Sequence, residues 1–183
     1  LGTANSSLER LKGLIENLLD MSRLQAGSLA VHLQEVSIYD VIPTALKSIA
    51  APPDAVELIE GPEVSDVRTD PGLLERVLAN LIDNAITHGK SEKKPQISVS
   101  EHGDEVQVRI IDYGKGIEPS LKKEAFAPFK RLGDIDNGRG VGLGLALSHG
   151  LSEAMEAELT LEETPGGGLT AIVTIPTTGS SGE

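Results

Sequence analysis

Cysteine is absent from the 183-residue sequence, which excludes disulfides, thiolate metal sites and thiol nucleophiles. That is compatible with a cytoplasmic address without requiring one. Aromatic residues make up only 2% and tryptophan is missing. A core must therefore be assembled from Leu, Ile, Val and Ala, and no aromatic platform exists on which single-stranded bases could stack. No apolar run approaches the roughly 18 to 20 residues of a membrane-spanning helix, and no basic-then-apolar start resembles a signal peptide. The chain as given is expected to be soluble. Basic residues are scarce beside acidic ones, 16 against 28, for a formal net charge of -12. This balance repels nucleic acid and anionic membrane, so no nucleic-acid partner is expected. The length suffices for one domain of ordinary size plus an accessory element, without covalent staples.

What the sequence does contain is periodic. From Asn5 to Gly27, Leu8, Leu11, Ile15 and Leu18 keep a four-three spacing that Leu14 and Met21 widen, with Glu9, Arg10, Lys12, Glu16 and Asp20 on the other side. This predicts one amphipathic helix ending at Gly27. Its apolar stripe either packs on this chain's own domain or belongs to a helical bundle or dimer seam. Leu29 to Val36 alternates as a strand, with His32 toward solvent; Ser37 to Ala50 reads as a helix beginning near Asp40, so that Pro43 falls in the first turn. Val56 to Glu60 and Asp66 to Thr69 read as short strands around Gly61-Pro62. Asp70-Pro71 is a strong helix start, and the helix runs to about His88 and Gly89, with Asn80, Asn84 and Thr87/His88 on one face. Gln96 to Ser100 and Val106 to Asp112 form one hairpin, and Glu158 to Glu162 and Leu169 to Ile175 another, around Pro165 to Gly168. Between them a helix starts in the Gly140 to Gly144 cluster and runs to about Met155; Thr177 to Glu183 reads as a frayed tail. The expected fold is α+β, a two-layer α/β sandwich with a mixed sheet and helices on one face.

Three groups of residues can carry chemistry. Asp112 ends the apolar strand Val106 to Ile111 and is followed by Gly114 and Gly116. Its carboxylate only accepts hydrogen bonds, which suits the exocyclic amine of adenine, while the glycines let backbone approach a ligand. Alone, the same residues read sooner as a surface turn. Asn84 offers a neutral, hard oxygen suited to Mg²⁺, or is a structurally satisfied asparagine. Gly140, Gly142 and Gly144 can expose amides at a helix N-terminus, where the dipole favours polyphosphate. Neither standard phosphate loop is present, because position 145 is leucine and there is no Walker sequence.

Taken in order, Asn80-x-x-x-Asn84-Ala85, Asp112-x-Gly114-x-Gly116, Phe126-x-Pro128-Phe129 and Gly140-x-Gly142-Leu143-Gly144-Leu145 resemble the N, G1, F and G2 boxes of sensor histidine kinases. These belong to the gyrase, Hsp90, histidine kinase and MutL (GHKL) superfamily with its Bergerat ATP-binding fold. The resemblance covers Asp70 to Ile175, and Leu8 to Leu29 is similar to the second helix of the dimerisation and phosphoacceptor domain. Stretches from Phe129 to Asn137, Gly142 to Gly150 and Glu163 to Gly168 further resemble the Kdp potassium-sensing kinases.

The resemblance implies that Asp112 binds the adenine of ATP, with Gly114 and Gly116 beside it. It further implies that Asn84 holds Mg²⁺, that Asn80 contacts phosphate or metal, and that Gly140, Gly142, Leu143 and Gly144 cradle the phosphates. Ile117 to Arg139 would be a lid rooted on Phe126 and Phe129, with Lys130, Arg131 and Arg139 as candidates for the terminal phosphates. Thr87 departs from the pattern, in which Lys or Arg is common, which leaves that phosphate contact open, with or without His88 in its place. Superfamily ATPases carry glutamate four residues before the metal asparagine; Asn80 cannot take a proton, which favours a kinase acting on an imidazole that already has a lone pair. None of His32, His88, His102 and His149 lies in a His-Glu/Asp-Leu-Arg-x-Pro context, so the receiving histidine is expected outside the chain. The implied organisation is an acceptor-domain helix at 1–28, an ATP-binding domain at 29–176 and a flexible tail at 177–183. Its partners would be the phosphoacceptor domain of its own or a partner protomer and a response regulator. The whole would be a homodimeric sensor of the inner or plasma membrane. The competing readings are a non-catalytic nucleotide-responsive module and a GHKL ATPase.

Overall fold

The computed structural model describes residues 2–52, 54–89, 91–129 and 142–179. Helix α3, Pro71–His88, shows how local signals place an element. Asp70 is extended, and its Oδ1 accepts from the amides of Gly72 at 3.0 Å and Leu73 at 3.1 Å. Pro71 at the first helical position forfeits an amide that would have had no partner anyway. Leu74, Val77, Leu78, Leu81, Ile82 and Ala85 are buried, the broad stripe of a helix laid on a sheet.

That sheet has the order β2-β4-β5-β7-β6, formed by Glu57–Leu58, Gln96–His102, Glu105–Ile111, Leu169–Pro176 and Glu158–Glu163 respectively. β2 lies parallel to β4 and every other pairing is antiparallel, so the sheet is mixed. Its alternation is carried across strands in register: Val99 opposes Val108, Val108 opposes Val173 and Val173 opposes Leu159, all buried. Ser98, Ser100, Gln107, Thr160 and Glu162 take the other face. Against the apolar face lie α2 (Ile38–Ser48), α3 and α4 (Gly144–Ala154), which contribute Ile38, Ile42, Leu78, Ile82, Leu147 and Leu151 to one continuous core. The expected α+β sandwich is present.

Several elements differ from their sequence patterns for identifiable reasons. The strand expected over Leu29 to Val36 is reduced to β1, Gln34–Val36, which pairs with β3, Val67–Thr69, in a separate two-stranded sheet. Before it the backbone is committed elsewhere, since the His32 amide donates to Asp70 Oδ2 at 2.8 Å. Val56 to Glu60 contracts to two residues and does not pair with β3; it runs beside β4, with the Ile59 amide bonded to the Ile97 carbonyl. α2 begins at Ile38, so Pro43 lies inside the helix. Pro43 and Tyr39, whose carbonyl would have served a residue-43 amide, are both exposed, where water can compensate. Thr177 and Thr178, assigned to the tail, are tied by their amides to the Asp104 and Asp66 carbonyls.

The first helix, α1, spans Gly2–Gln25. Leu8, Leu11, Ile15, Leu18 and Leu19 remain between 51% and 61% exposed. Among the described residues the C-terminal part packs most closely, through Met21, Leu24 and Asp20. Asp20, expected on the solvent side, is buried; it pairs with Arg76 of α3 and with Arg23 at 3.3 Å, while Arg76 also donates to the Asn17 side chain at 3.3 Å. Desolvation lowers the Arg76 pKa and the nearby Glu16 charge opposes that shift. Among the described residues, no helix is long and apolar enough to cross a membrane.

Asp70→Ala removes the cap of α3 and the tether of the preceding segment together, and should cost about 1–3 kcal/mol in urea unfolding. Ser37→Ala, at an N-cap whose hydroxyl makes no cap bond, should stay within about 0.5 kcal/mol in the same measurement.

Candidate functional site

β5 delivers Asp112 to the end of the sheet, where it is 7% exposed. One carboxylate oxygen, Oδ1, accepts from the Gly114 amide at 2.8 Å and the Leu169 amide at 3.2 Å, and the Asp112 amide donates to the Leu169 carbonyl at 2.9 Å. Oδ2 has no hydrogen bond within the described residues. A buried carboxylate clamped at one oxygen is a directional acceptor for a ligand donor.

The clamp depends on missing side chains. A Cβ at Gly89 would lie 2.3 Å from the Ala85 carbonyl oxygen and 2.7 Å from Asp112 Cβ. At Gly114 it would lie 2.6 Å from the His88 carbonyl oxygen, and at Gly168, where φ is +118°, 2.1 Å from the Asp112 carbonyl oxygen. The C-terminal end of α3, the turn after β5 and the start of β7 therefore meet at backbone contact distance around Asp112. Gly114 and Gly116 were legible as turn glycines. Gly89 reads in the sequence only as a helix terminus and Gly168 only as part of a hairpin turn, and their service to Asp112 has no local signal. Open clefts of about 490 Å³ and 500 Å³ border this turn, the first lined by Tyr113, Lys93 and Gln96, the second by Lys115, Gly116 and the 164–168 loop.

The other wall is the polar face of α3. Asn84 and Asn80 are both partly buried, one helical turn apart, and face α4. Asn84 Nδ2 lies 3.8 Å from where a Gly144 Cβ would be, and Asn80 Nδ2 lies 3.5 Å from Ser148 Oγ. Among the described residues the first turn of α4 has no side-chain cap, in contrast to α3, and a helix start of that kind can offer its amides to other acceptors. Among the described residues no group of three or more His, Asp or Glu side chains could hold a metal. The donor set at Asn84, one carboxamide oxygen beside uncapped amides, suits an ion that takes most of its ligands from phosphate and water, as Mg²⁺ does.

Thr87 is partly buried and His88 exposed at the end of this face. Lys130, Arg131, Arg139 and Gly140 lie outside the described residues. The ends of that interval are joined, because the Phe129 amide donates to the Gly142 carbonyl at 3.0 Å. Phe126 packs on the core with its ring 4.4 Å from that of His149. Phe129, expected to share that packing, is instead 62% exposed with φ of +63°, since its backbone closes the neck and turns the ring outward. Gly142 has φ of +75° and Leu143 is buried immediately before α4.

A family model described as histidine kinase-, DNA gyrase B-, and HSP90-like ATPase matches residues 69–179. The sensor protein KdpD of Rathayibacter rathayi is 48% identical over 166 residues, which is 91% of this chain and 19% of that protein. The chain thus spans about a fifth of the length of that curated relative. Acinetobacter baumannii histidine kinase AdeS superposes with a TM-score of 0.76 at 23% identity, covering 97% of this chain and 83% of that one. Full-length ShkA in complex with AMPPNP gives 0.77 at 23% identity, covering 94% of this chain and 37% of that one.

Gly168→Ala combines a left-handed backbone with a collision and should lower stability by more than about 2 kcal/mol. Gly103→Ala, also at positive φ but with nothing within 4 Å of the added carbon, should cost only about 1 kcal/mol. Denaturant midpoints of the two variants check the difference.

Proposed function

The chain belongs to the histidine kinase-, DNA gyrase B-, and HSP90-like ATPase family, and we propose that it is the ATP-binding catalytic part of a two-component sensor histidine kinase of the Kdp type. The observation that carries this reading is Asp112: a buried carboxylate with one oxygen held by two amides, beside the helix face bearing Asn80 and Asn84. Asp112 accepts from the adenine amine, with Gly114 and Gly116 allowing the base to approach the backbone. Gly142, Leu143 and Gly144 present amides at the start of α4 to the phosphates, and Gly140 serves the same phosphates. Lys130, Arg131 and Arg139 reach the terminal phosphates from 130–141. Asn84 holds Mg²⁺, which when bound neutralises phosphate charge, and Asn80 orients the same groups.

In the transfer, a neutral imidazole nitrogen of an acceptor histidine attacks the γ-phosphorus with its own lone pair. The bond to the β-γ bridging oxygen breaks and ADP leaves. No protein base has to remove a proton before attack, which is why Asn80 can stand where a water-activating enzyme needs a carboxylate. Residues 1–28 are the end of the phosphoacceptor domain, with α1 as its last helix, and the catalytic domain starts at 29 and takes in Thr177 and Thr178. The acceptor histidine belongs to this protomer's own acceptor domain or its partner's, in a homodimer whose product is relayed to a response regulator. The part described acts on the cytoplasmic side of a membrane sensor and uses no nucleic acid.

The chain, mixed with Mg-ATP and a separately made phosphoacceptor domain, should yield acid-labile phosphohistidine on that domain. Tight ATP binding with no phosphohistidine at any concentration would identify a non-catalytic nucleotide-responsive module, a reading that Thr87 favours. Asp112→Ala should weaken ATP binding by about 1–3 kcal/mol, measured by calorimetry. Asn84→Ala should abolish Mg-dependent transfer, and retained activity would remove the metal assignment.

A further inference from the structure

Helices α3 and α4 meet along a register with a four-residue step. Asn84 is opposite Gly144 and Asn80 is opposite Ser148, one turn away on each helix. The next step along α4 is Ser152. Ser148 and Ser152 are both 0% exposed, in a helix whose neighbouring inward positions are Leu147, Leu151 and Met155. A buried serine in a helix interior is disfavoured against alanine on two counts: propensity, and the desolvation of its hydroxyl. The two serines differ in one respect. Ser152 Oγ has no partner among the described residues, whereas Ser148 Oγ meets Asn80 Nδ2 at 3.5 Å.

We propose that Ser148 is a positioning residue for phosphoryl transfer, its buried hydroxyl holding the Asn80 carboxamide in the orientation that the Mg-ATP phosphates require. The proposal rests on the ATP-binding histidine kinase reading above. The amide of Asn80 is planar, so fixing its nitrogen toward α4 fixes the direction of its oxygen to within rotation about one contact. Because Ser148 is sealed from water, its hydroxyl has no solvent partner to exchange for Asn80, and the asparagine rotamers are reduced before nucleotide arrives. Gly144, one turn earlier, offers Asn84 no polar side chain, so among the described residues Asn80 is the asparagine of this face that a hydroxyl of α4 holds.

The test uses the whole chain with Mg-ATP and a separately made phosphoacceptor domain, and compares Ser148→Ala with the matched control Ser152→Ala. Ser148→Ala should slow maximal transfer by about 10- to 100-fold while ATP affinity stays within about twofold. Ser152→Ala should transfer at the unaltered rate. Adding Ser148→Ala to Asn80→Ala should cause no further loss, because the two residues act as one unit. Should Ser148→Ala fail to fold by circular dichroism, Ser148→Cys keeps the branching with a somewhat larger atom and a weak hydrogen-bonding group, and should give an intermediate rate. The side-chain amide resonance of Asn80 should move in Ser148→Ala and not in Ser152→Ala, a readout independent of activity. Unchanged transfer, an effect on KM alone, additive losses with Asn80→Ala, or an unmoved Asn80 resonance would each overturn the assignment. Absence of any transfer by the unaltered chain would count against the proposed function instead, with the Asn80 resonance still deciding the contact.

Discussion

Backbone approaching backbone around Asp112 is the constraint on which the rest of the structure depends. Three segments distant in sequence, ending at Gly89, turning at Gly114 and restarting at Gly168, come so close that a single added carbon at any of them would overlap a neighbour. Close packing of this kind positions the carboxylate more rigidly than long side chains could, since backbone has no rotamers to exchange. It also joins the two layers. β5 and β7 carry Asp112 and Leu169 as a hydrogen-bonded extension of the sheet, while α3 ends directly on the same residue.

α3 then acts as the common wall of everything functional. Its N-terminus is tied by Asp70 both to its own first turn and to His32. One side supplies the core, and the polar face confronts α4. Near its start, Arg76 binds the buried Asp20 of α1. A half-desolvated pair such as this gives orientation more than stability, because desolvation offsets much of the Coulomb attraction. The asparagine pair that faces α4 and the anchor of the terminal helix are therefore borne by one helix. Leu8, Leu11, Leu18 and Leu19 of α1 stay exposed while Leu14 is half-buried, so packing on this chain covers its apolar stripe only in part.

The readable parts were those governed by short-range rules. Asp70-Pro71 marked the start of α3, the hairpins at Gly103 and 165–168 followed from turn chemistry, and period-two patterns located β4, β5 and β7. Failures clustered where a distant group captured the backbone. Leu29 to Leu33 has the alternation of a strand, yet the Asp70 carboxylate takes the His32 amide. Asp20 belongs to a polar helical face, but an arginine on another helix draws it inside. Phe129 has an aromatic side chain suited to packing, and the bond from its amide to Gly142 turns it outward.

By itself the sequence determined the order of chemistry along the chain: an asparagine pair on one helical face, then an aspartate with two glycines, then a glycine cluster opening a helix. It also determined the α+β class, because periodicity is a property of neighbours. Only the tertiary structure decided which of these residues share a site. It brought Gly89 and Gly168 against Asp112, set Ser148 opposite Asn80 and buried Asp20 beside Arg76. The reason is physical: a contact between residues 57 or 68 positions apart leaves no local pattern, since it depends on how layers pack and not on what either residue's neighbours are.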